Sequence, residues 1–251
     1  MLVLQQLFIL SDEEVELQVY DRRSFEDFVG LGVMNDISDA TTVAFFRERL
    51  RKANVIDELF EMFESYLIDQ GLEARGGQII DATLVLVPKR RNSREDNKEI
   101  KANRVTDGWN ESSKRLQQKD LDARWVKKND INHYGYKISI CIDAEHGFIR
   151  RFVVTPANIH DSQMLPMLLD PENHDDYVWA NSGERFKDLL SLAGFENRIH
   201  EKGLRDHPLS AAATERNSIG SQARARLEHL FGCFATSMGG MFTRKIGLKK
   251  N

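Results

Sequence analysis

The chain has 251 residues, 41% of them hydrophobic and 29% charged, with a formal net charge of −4. That length buries a substantial core in one large domain or two modest ones, and the composition is that of a soluble globular protein. No apolar run approaches membrane-spanning length, the opening residues lack a basic leader and cleavage site, and two isolated cysteines argue against a disulfide framework or a zinc site. The first seventy residues read as helical: Ser11 with Glu14 forms a capping-box pattern, Ser24 with Asp27 a weaker one, and Val43, Phe46, Leu50 and then Leu59, Phe63, Leu67 recur at helical spacing. Gly71 supplies a C-terminal stop. Ile79 to Val87 is apolar and β-branched and predicts a strand ended by Pro88. The polar stretch at about 88–133 lacks periodicity and reads as a long, mobile, charged insertion. Tyr136–Ile142 and Phe148–Val154 flank a Gly-containing turn and predict a β-hairpin. A loop at Pro156–Ser162 follows, with Asp161 or Ser162 capping a helix. A strand at Tyr177–Gly183, a helix around Arg185–Leu192, a short strand near Arg198–His200 and a last helix near Ala213–Phe234, broken by Gly239-Gly240, complete the chain. This order predicts an α/β domain at 73–251, a mixed sheet flanked by helices, preceded by an N-terminal helical region at 1–72.

Three polar residues stand out on these elements. Asp81 follows Ile79 and Ile80 in a strand, Asn181 ends the Tyr177–Ala180 run, and Glu228 lies in the last helix beside Leu227, Leu230 and Phe231. Taken singly, Asp81 reads as a strand-end turn residue and Glu228 as a surface residue. Together they match a strand carboxylate converging with a helix carboxylate, an arrangement that holds paired divalent cations for phosphodiester chemistry. Asn181 offers an amide oxygen but no charge, so a second cation site there is expected to be weak. Arg224 precedes Glu228 by one helical turn and could steady that carboxylate or a phosphate, or simply pair on the surface. The negative net charge hides an asymmetry: residues before Gly71 are acidic, whereas Lys89–Lys128 and the segment with Arg224 and Arg226 are basic. Lys127 and Lys128, together with Lys89, Arg90 and Arg91, are expected to attract DNA without sequence preference. Lys137 could face phosphates or be a solvated strand lysine, and His160 and Asp161 could line the mouth of the site. His133, His200 and His207 show no metal-ligand spacing, and no glycine loop cradles a nucleotide.

The segments QIIDATLV, YGYKISICIDAEHGFI, PANIHDS, YVWANSGE and RARLEHLFG resemble the signature blocks of the insertion sequence 5 family of bacterial DDE transposases, within the group related to insertion sequence 4. The resemblance runs from about Asp36 to Gly247. It implies a ribonuclease-H-like core that cuts transposon ends and joins them to target DNA with Mg2+, or Mn2+ in its place. Carried over, Asp81 is the first carboxylate and a metal ligand, Glu228 the third and also a metal ligand, and Asn181 stands where the second aspartate is expected. The implied partners are terminal inverted repeats, target DNA and further copies of the chain, in the bacterial cytoplasm and on the nucleoid when DNA-bound. The chain departs from the pattern at Asn181, in lacking an upstream segment, and in stopping at Lys249-Lys250-Asn251, so an impaired or truncated transposase is expected. A non-catalytic DNA-binding or regulatory derivative is the alternative. A metal-dependent repair or defence nuclease shares the chemistry but not the PANIHDS and RARLEHLFG blocks.

Overall fold

A computed structural model describes residues 1–32, 36–88, 92–102, 104, 118–180, 184–199, 201, 209–243 and 245–248. Two compact units emerge, one from Met1–Gln70 with Gly232–Gly240, the other from Gly71–Phe231 with Met241–Asn251.

The first unit contains helices α1 (Leu2–Phe8), α2 (Asp12–Asp21), α3 (Arg23–Phe28), α4 (Ala40–Ala53) and α5 (Ile56–Asp69). Its core gathers Leu4, Val15, Val19 and Phe25, with Leu10, Leu31 and Ile37 packed around them. The Ser11 capping box forms as expected: the Glu14 amide donates to Ser11 Oγ at 3.1 Å and the Ser11 amide to Glu14 Oε2 at 2.8 Å. Ser24 does not cap. Helix α3 already begins at Arg23, with Arg22 in the extended cap position. Asp39 caps α4 by accepting from the Thr42 amide. Helix α5 forms where its apolar spacing places it, yet none of its residues is buried, and Leu59 and Phe63 stay exposed. Gly71 follows it at φ 78, the left-handed stop that glycine adopts without a Cβ penalty.

The second unit is built on one mixed sheet. Strand β1 (Gln78–Leu86) pairs antiparallel with β3 (Ile131–Asp143), from Gln78↔Asp143 to Leu86↔Gly135. On its other side β1 pairs parallel with β5 (Tyr177–Ala180), which pairs parallel with β6 (Glu196–Asn197). Strands β2 (Arg124–Lys128) and β4 (Ile149–Pro156) pair antiparallel with different stretches of β3. The β2–β3 turn places Asn129 and Asp130 at φ 49 and 61, the double left-handed conformation of a tight hairpin. In the β3–β4 turn the buried Asp143 carboxylate accepts from the amides of His146 at 2.6 Å and Phe148 at 2.7 Å. The segment at Met241–Thr243 continues alongside β1: the Leu86 amide donates to Met241 O and the Thr243 amide to Leu86 O, both at 2.9 Å.

Alternation along β1 sorts its two faces. Ile80 joins Cys141, Val178 and Ala180 in a cluster closed by Leu165 and Leu168 of α7 (Leu165–Leu168) and Leu190 of α8 (Glu184–Leu192). Ile79 joins Ile140, Ile142 and Trp179 in a second cluster, closed by Leu227, Ala223 and Leu230 of α9 (Ala211–Thr236). A mixed sheet with helices on both faces is the α/β layering that the element order implies.

Three expectations are corrected. The charged stretch at about 88–133 is not an unstructured insertion among its described residues. It contains α6 (Arg94–Lys101), held by a Ser93–Asp96 capping box, and all of β2. Buried Asn92 donates to the Asp120 carbonyl and, at 2.9 Å, to Tyr134 Oη, while Tyr136 Oη donates to Asp120 Oδ1 at 2.7 Å. Neither Asp161 nor Ser162 caps a helix. Asp161–Gln163 is a 3₁₀ turn whose Ser162 amide donates to His160 Nδ1. The short strand lies at Glu196–Asn197, two residues before the expected position.

Candidate functional site

Asp81 projects from the face of β1 that carries Ile79, toward α9. Leu227 fixes that helix there: it is 1% exposed and belongs to the same cluster as Ile79 and Trp179. Residues 224, 227 and 228 share one side of a helix, at spacings of three and four. Arg224 Nη2 accordingly reaches Asp81 and donates to its Oδ2 at 2.8 Å, with the two side chains 14% and 16% exposed. Asp81 Oδ1 accepts from the Ala82 amide at 2.8 Å. Glu228 follows Arg224 by one turn, a rise of about 6 Å along the axis, and is exposed. Asp81 is thus held against the turn of α9 that leads to Glu228, although 143 residues separate it from Arg224.

Asn181 lies outside the described residues, as do Lys89, Arg90, Arg91, His200 and His207. The last described residue before it, Ala180, pairs with Ile80, the neighbour of Asp81. Among the described residues no group of three or more His, Cys, Asp or Glu side chains assembles as a metal cage.

The basic residues divide by what they touch. Lys137 is not a solvated strand lysine: its Nζ donates to Ile159 O and Asp161 Oδ1, both at 2.7 Å, and ties β3 to the Pro156–Ser162 loop. Its side chain is 13% exposed. Arg226 donates to the carbonyls of Ala144 and Glu145 and fastens α9 to the β3–β4 turn. Lys127 pairs with Asp130 across its hairpin turn at 2.7 Å, and Lys128 is exposed.

Sequence reasoning missed the Arg224–Asp81 contact, for which nothing local signals a partner. It also missed a buried polar cluster at the start of β1. There Asp170 takes Arg150 Nη2 at 3.0 Å and Arg151 Nη2 at 3.4 Å, and Gln78 brackets the Asp170 backbone through both ends of its amide. The tandem Arg150-Arg151 on a strand of otherwise apolar pattern was the available signal.

Comparison with known proteins places this geometry. A family model described as a transposase DDE domain matches residues 73–251, and one described as a transposase domain (DUF772) matches residues 1–49. The transposase for insertion sequence element IS1106 of Neisseria meningitidis serogroup B is 30% identical over 192 residues, covering 74% of this chain and 64% of that protein. The chain therefore spans somewhat less than two thirds of the length of that relative. No solved structure matches. With a family model matched across most of the sequence, the conclusion is plain: the chain belongs to the transposase DDE domain family.

Proposed function

We propose that this chain is a DDE transposase of the insertion sequence 5 family, with a ribonuclease-H-like core that acts on transposon-end and target DNA, and that Asn181 impairs its chemistry. The observation that carries the reading is the placement of Asp81, a carboxylate on the central strand held beside the helical turn that precedes Glu228. The donor set fits a hard divalent cation such as Mg2+ or Mn2+. Asp81 is largely withdrawn from water, and carboxylate oxygens are the ligands such ions select. Asp81 and Glu228 would hold the metal. Two bound cations would activate a water or a DNA 3′-hydroxyl and stabilise the leaving oxygen.

The protein's own part is to fix and neutralise charge. Leu227, buried in one cluster with Ile79, Ile140, Ile142 and Trp179, sets the spacing between sheet and helix, and Arg226 locks the helix to the β3–β4 turn. Asn181 would offer an amide oxygen without charge, so a second cation would be held weakly there. Lys127, Lys128, Arg226 and Lys137 are the candidate DNA-facing cations, with Lys128 the most accessible and Lys137 the least. The second reading is a non-catalytic derivative that occupies transposon ends, or pairs with an active copy of the chain. Asn181 is the observation that favours it.

Cleavage of labelled transposon-end DNA in Mg2+ or Mn2+ separates the two. The expected result is binding with little or no cleavage by the native sequence, strong cleavage by Asn181→Asp, and none by Asn181→Asp combined with Asp81→Asn. Equal cleavage by native and Asn181→Asp proteins would remove the claim of impairment. Cleavage that survives loss of Asp81 would remove the site.

A further inference from the structure

We infer that the Arg224 guanidinium takes the place of a divalent cation at Asp81, so that metal entry requires Arg224 to let go. This rests on the reading of Asp81 as a metal ligand. A carboxylate 16% exposed needs a countercharge, and Arg224 is the group that supplies it, through Oδ2. Oδ1 is engaged by the Ala82 amide. A cation entering at Asp81 meets a fixed positive charge within bonding distance of the same carboxylate, and the two compete for one anion.

The grip of Arg224 is incomplete. An arginine evolved purely to brace a carboxylate presents two parallel N–H donors to its two oxygens. Here one Nη2 contact is made, while Arg224 Nε is buried and has no hydrogen-bond partner among the described residues. A buried donor left unmade weakens the hold of the arginine in this position. The side chain neutralises Asp81 well enough to keep β1 and α9 together and loosely enough to be displaced. Arg224 is therefore a positioning residue that sets the threshold for metal binding, acting through Asp81.

The test is titration of the full chain with Mn2+, with free ion followed by electron paramagnetic resonance and no DNA present. Arg224→Gln, which removes the competing charge, is expected to bind Mn2+ about ten-fold more tightly than the native protein, consistent with the effect of one adjacent charge on a carboxylate. Arg216→Gln removes an equal charge eight residues earlier on α9, from an arginine paired with Glu201, and is expected to leave the affinity near native. Arg224→Lys, which keeps the charge on a shorter, unforked side chain, is expected to fall between native and Arg224→Gln. It also carries the comparison if the glutamine variant does not fold by circular dichroism. Asp81→Asn is expected to abolish the binding. Affinity unchanged or weakened in the folded Arg224 variants overturns the inference while leaving the metal site intact. Equal tightening in Arg216→Gln also overturns it, since bulk charge then explains the effect. Mn2+ binding indifferent to Asp81 in every variant removes the site itself, and the inference with it.

Discussion

Asp170 illustrates how one buried acid anchors the start of the central strand β1. It is 3% exposed, and burial by itself raises its pKa. The Arg150 hydrogen bond, the Glu172 amide and the charges of Arg150 and Arg151 outweigh that and hold it below the ordinary aspartate value. The carboxyl therefore binds protons less readily in the folded chain than in the unfolded one. Its contribution to stability is complete above the unfolded pKa of about 4 and is lost as pH falls through the lower folded value. Asp170→Asn removes the paired charge of Asp170 from Arg150, whose side chain is only 8% exposed. Urea unfolding at neutral pH is expected to show a loss of about 3 kcal/mol, the range for breaking a buried pair from one side. Repeated at progressively lower pH below about 4, the gap between native and variant should narrow, because the native carboxylate is then itself being neutralised. A gap independent of pH would mean that the charge of Asp170 is not what stabilises this end of β1.

Among the elements, the β1–β3 pairing is the one on which the site most depends, and Gly135 is its tightest point. A Cβ at this position, where φ is 157, would stand 2.1 Å from the Val85 carbonyl oxygen of β1. Backbone cannot move aside as a flexible side chain can. Gly135→Ala is expected to cost about 3 kcal/mol in thermal or urea unfolding, at the upper end for overpacking. Gly147→Ala, where a Cβ meets nothing within 4 Å, should cost only about 1 kcal/mol for its left-handed conformation. Equal losses at the two positions would show that β1 yields. The β3–β4 hairpin was legible in the sequence because two apolar runs flank a Gly-containing turn, and Asp143 closes that turn. The stretch holding α6 and β2 was not legible. Its interior is made of Asn92, Asn97 and Asp120, polar residues buried through hydrogen bonds, and polarity in a sequence reads as exposure. The opposite error occurs in α5, whose apolar spacing reads as a packed face although Leu59, Met62 and Phe63 are exposed. Asp81, Glu228 and Arg224 could be picked out as residues, but the bond from Arg224 to Asp81 could not, because no local pattern encodes a contact across 143 positions.

Charge is the property that has to be judged over the whole molecule, because a net of −4 opposes binding to a polyanion. On the proposed function, attraction to DNA must then come from cations that can change partners when a phosphate arrives. The cost of that exchange differs among the candidates. Lys127 pairs with Asp130, but both side chains are well exposed, at 62% and 94%, and a pair so hydrated contributes little. Lys128 beside it is exposed. Lys137 sits at 13% exposure with two short bonds into its loop, and releasing it would uncouple the Pro156–Ser162 segment from β3. The tip of the β2–β3 hairpin is thus the better electrostatic contact and Lys137 a brace. Each phosphate contact contributes about 0.9 to the slope of log affinity against log salt on duplex DNA. Replacing Lys127 and Lys128 together by alanine should therefore flatten that slope by about 1.8, if each lysine neutralises one phosphate. Lys137→Ala should leave the slope unchanged while lowering the melting temperature. Fluorescence anisotropy of a labelled duplex, titrated at salt concentrations between about 50 and 200 mM, reads the slopes directly. A flatter slope for Lys137→Ala with none for the hairpin pair would reverse the assignment, and would mean that DNA pulls the Asp161 loop open to reach the lysine beneath it.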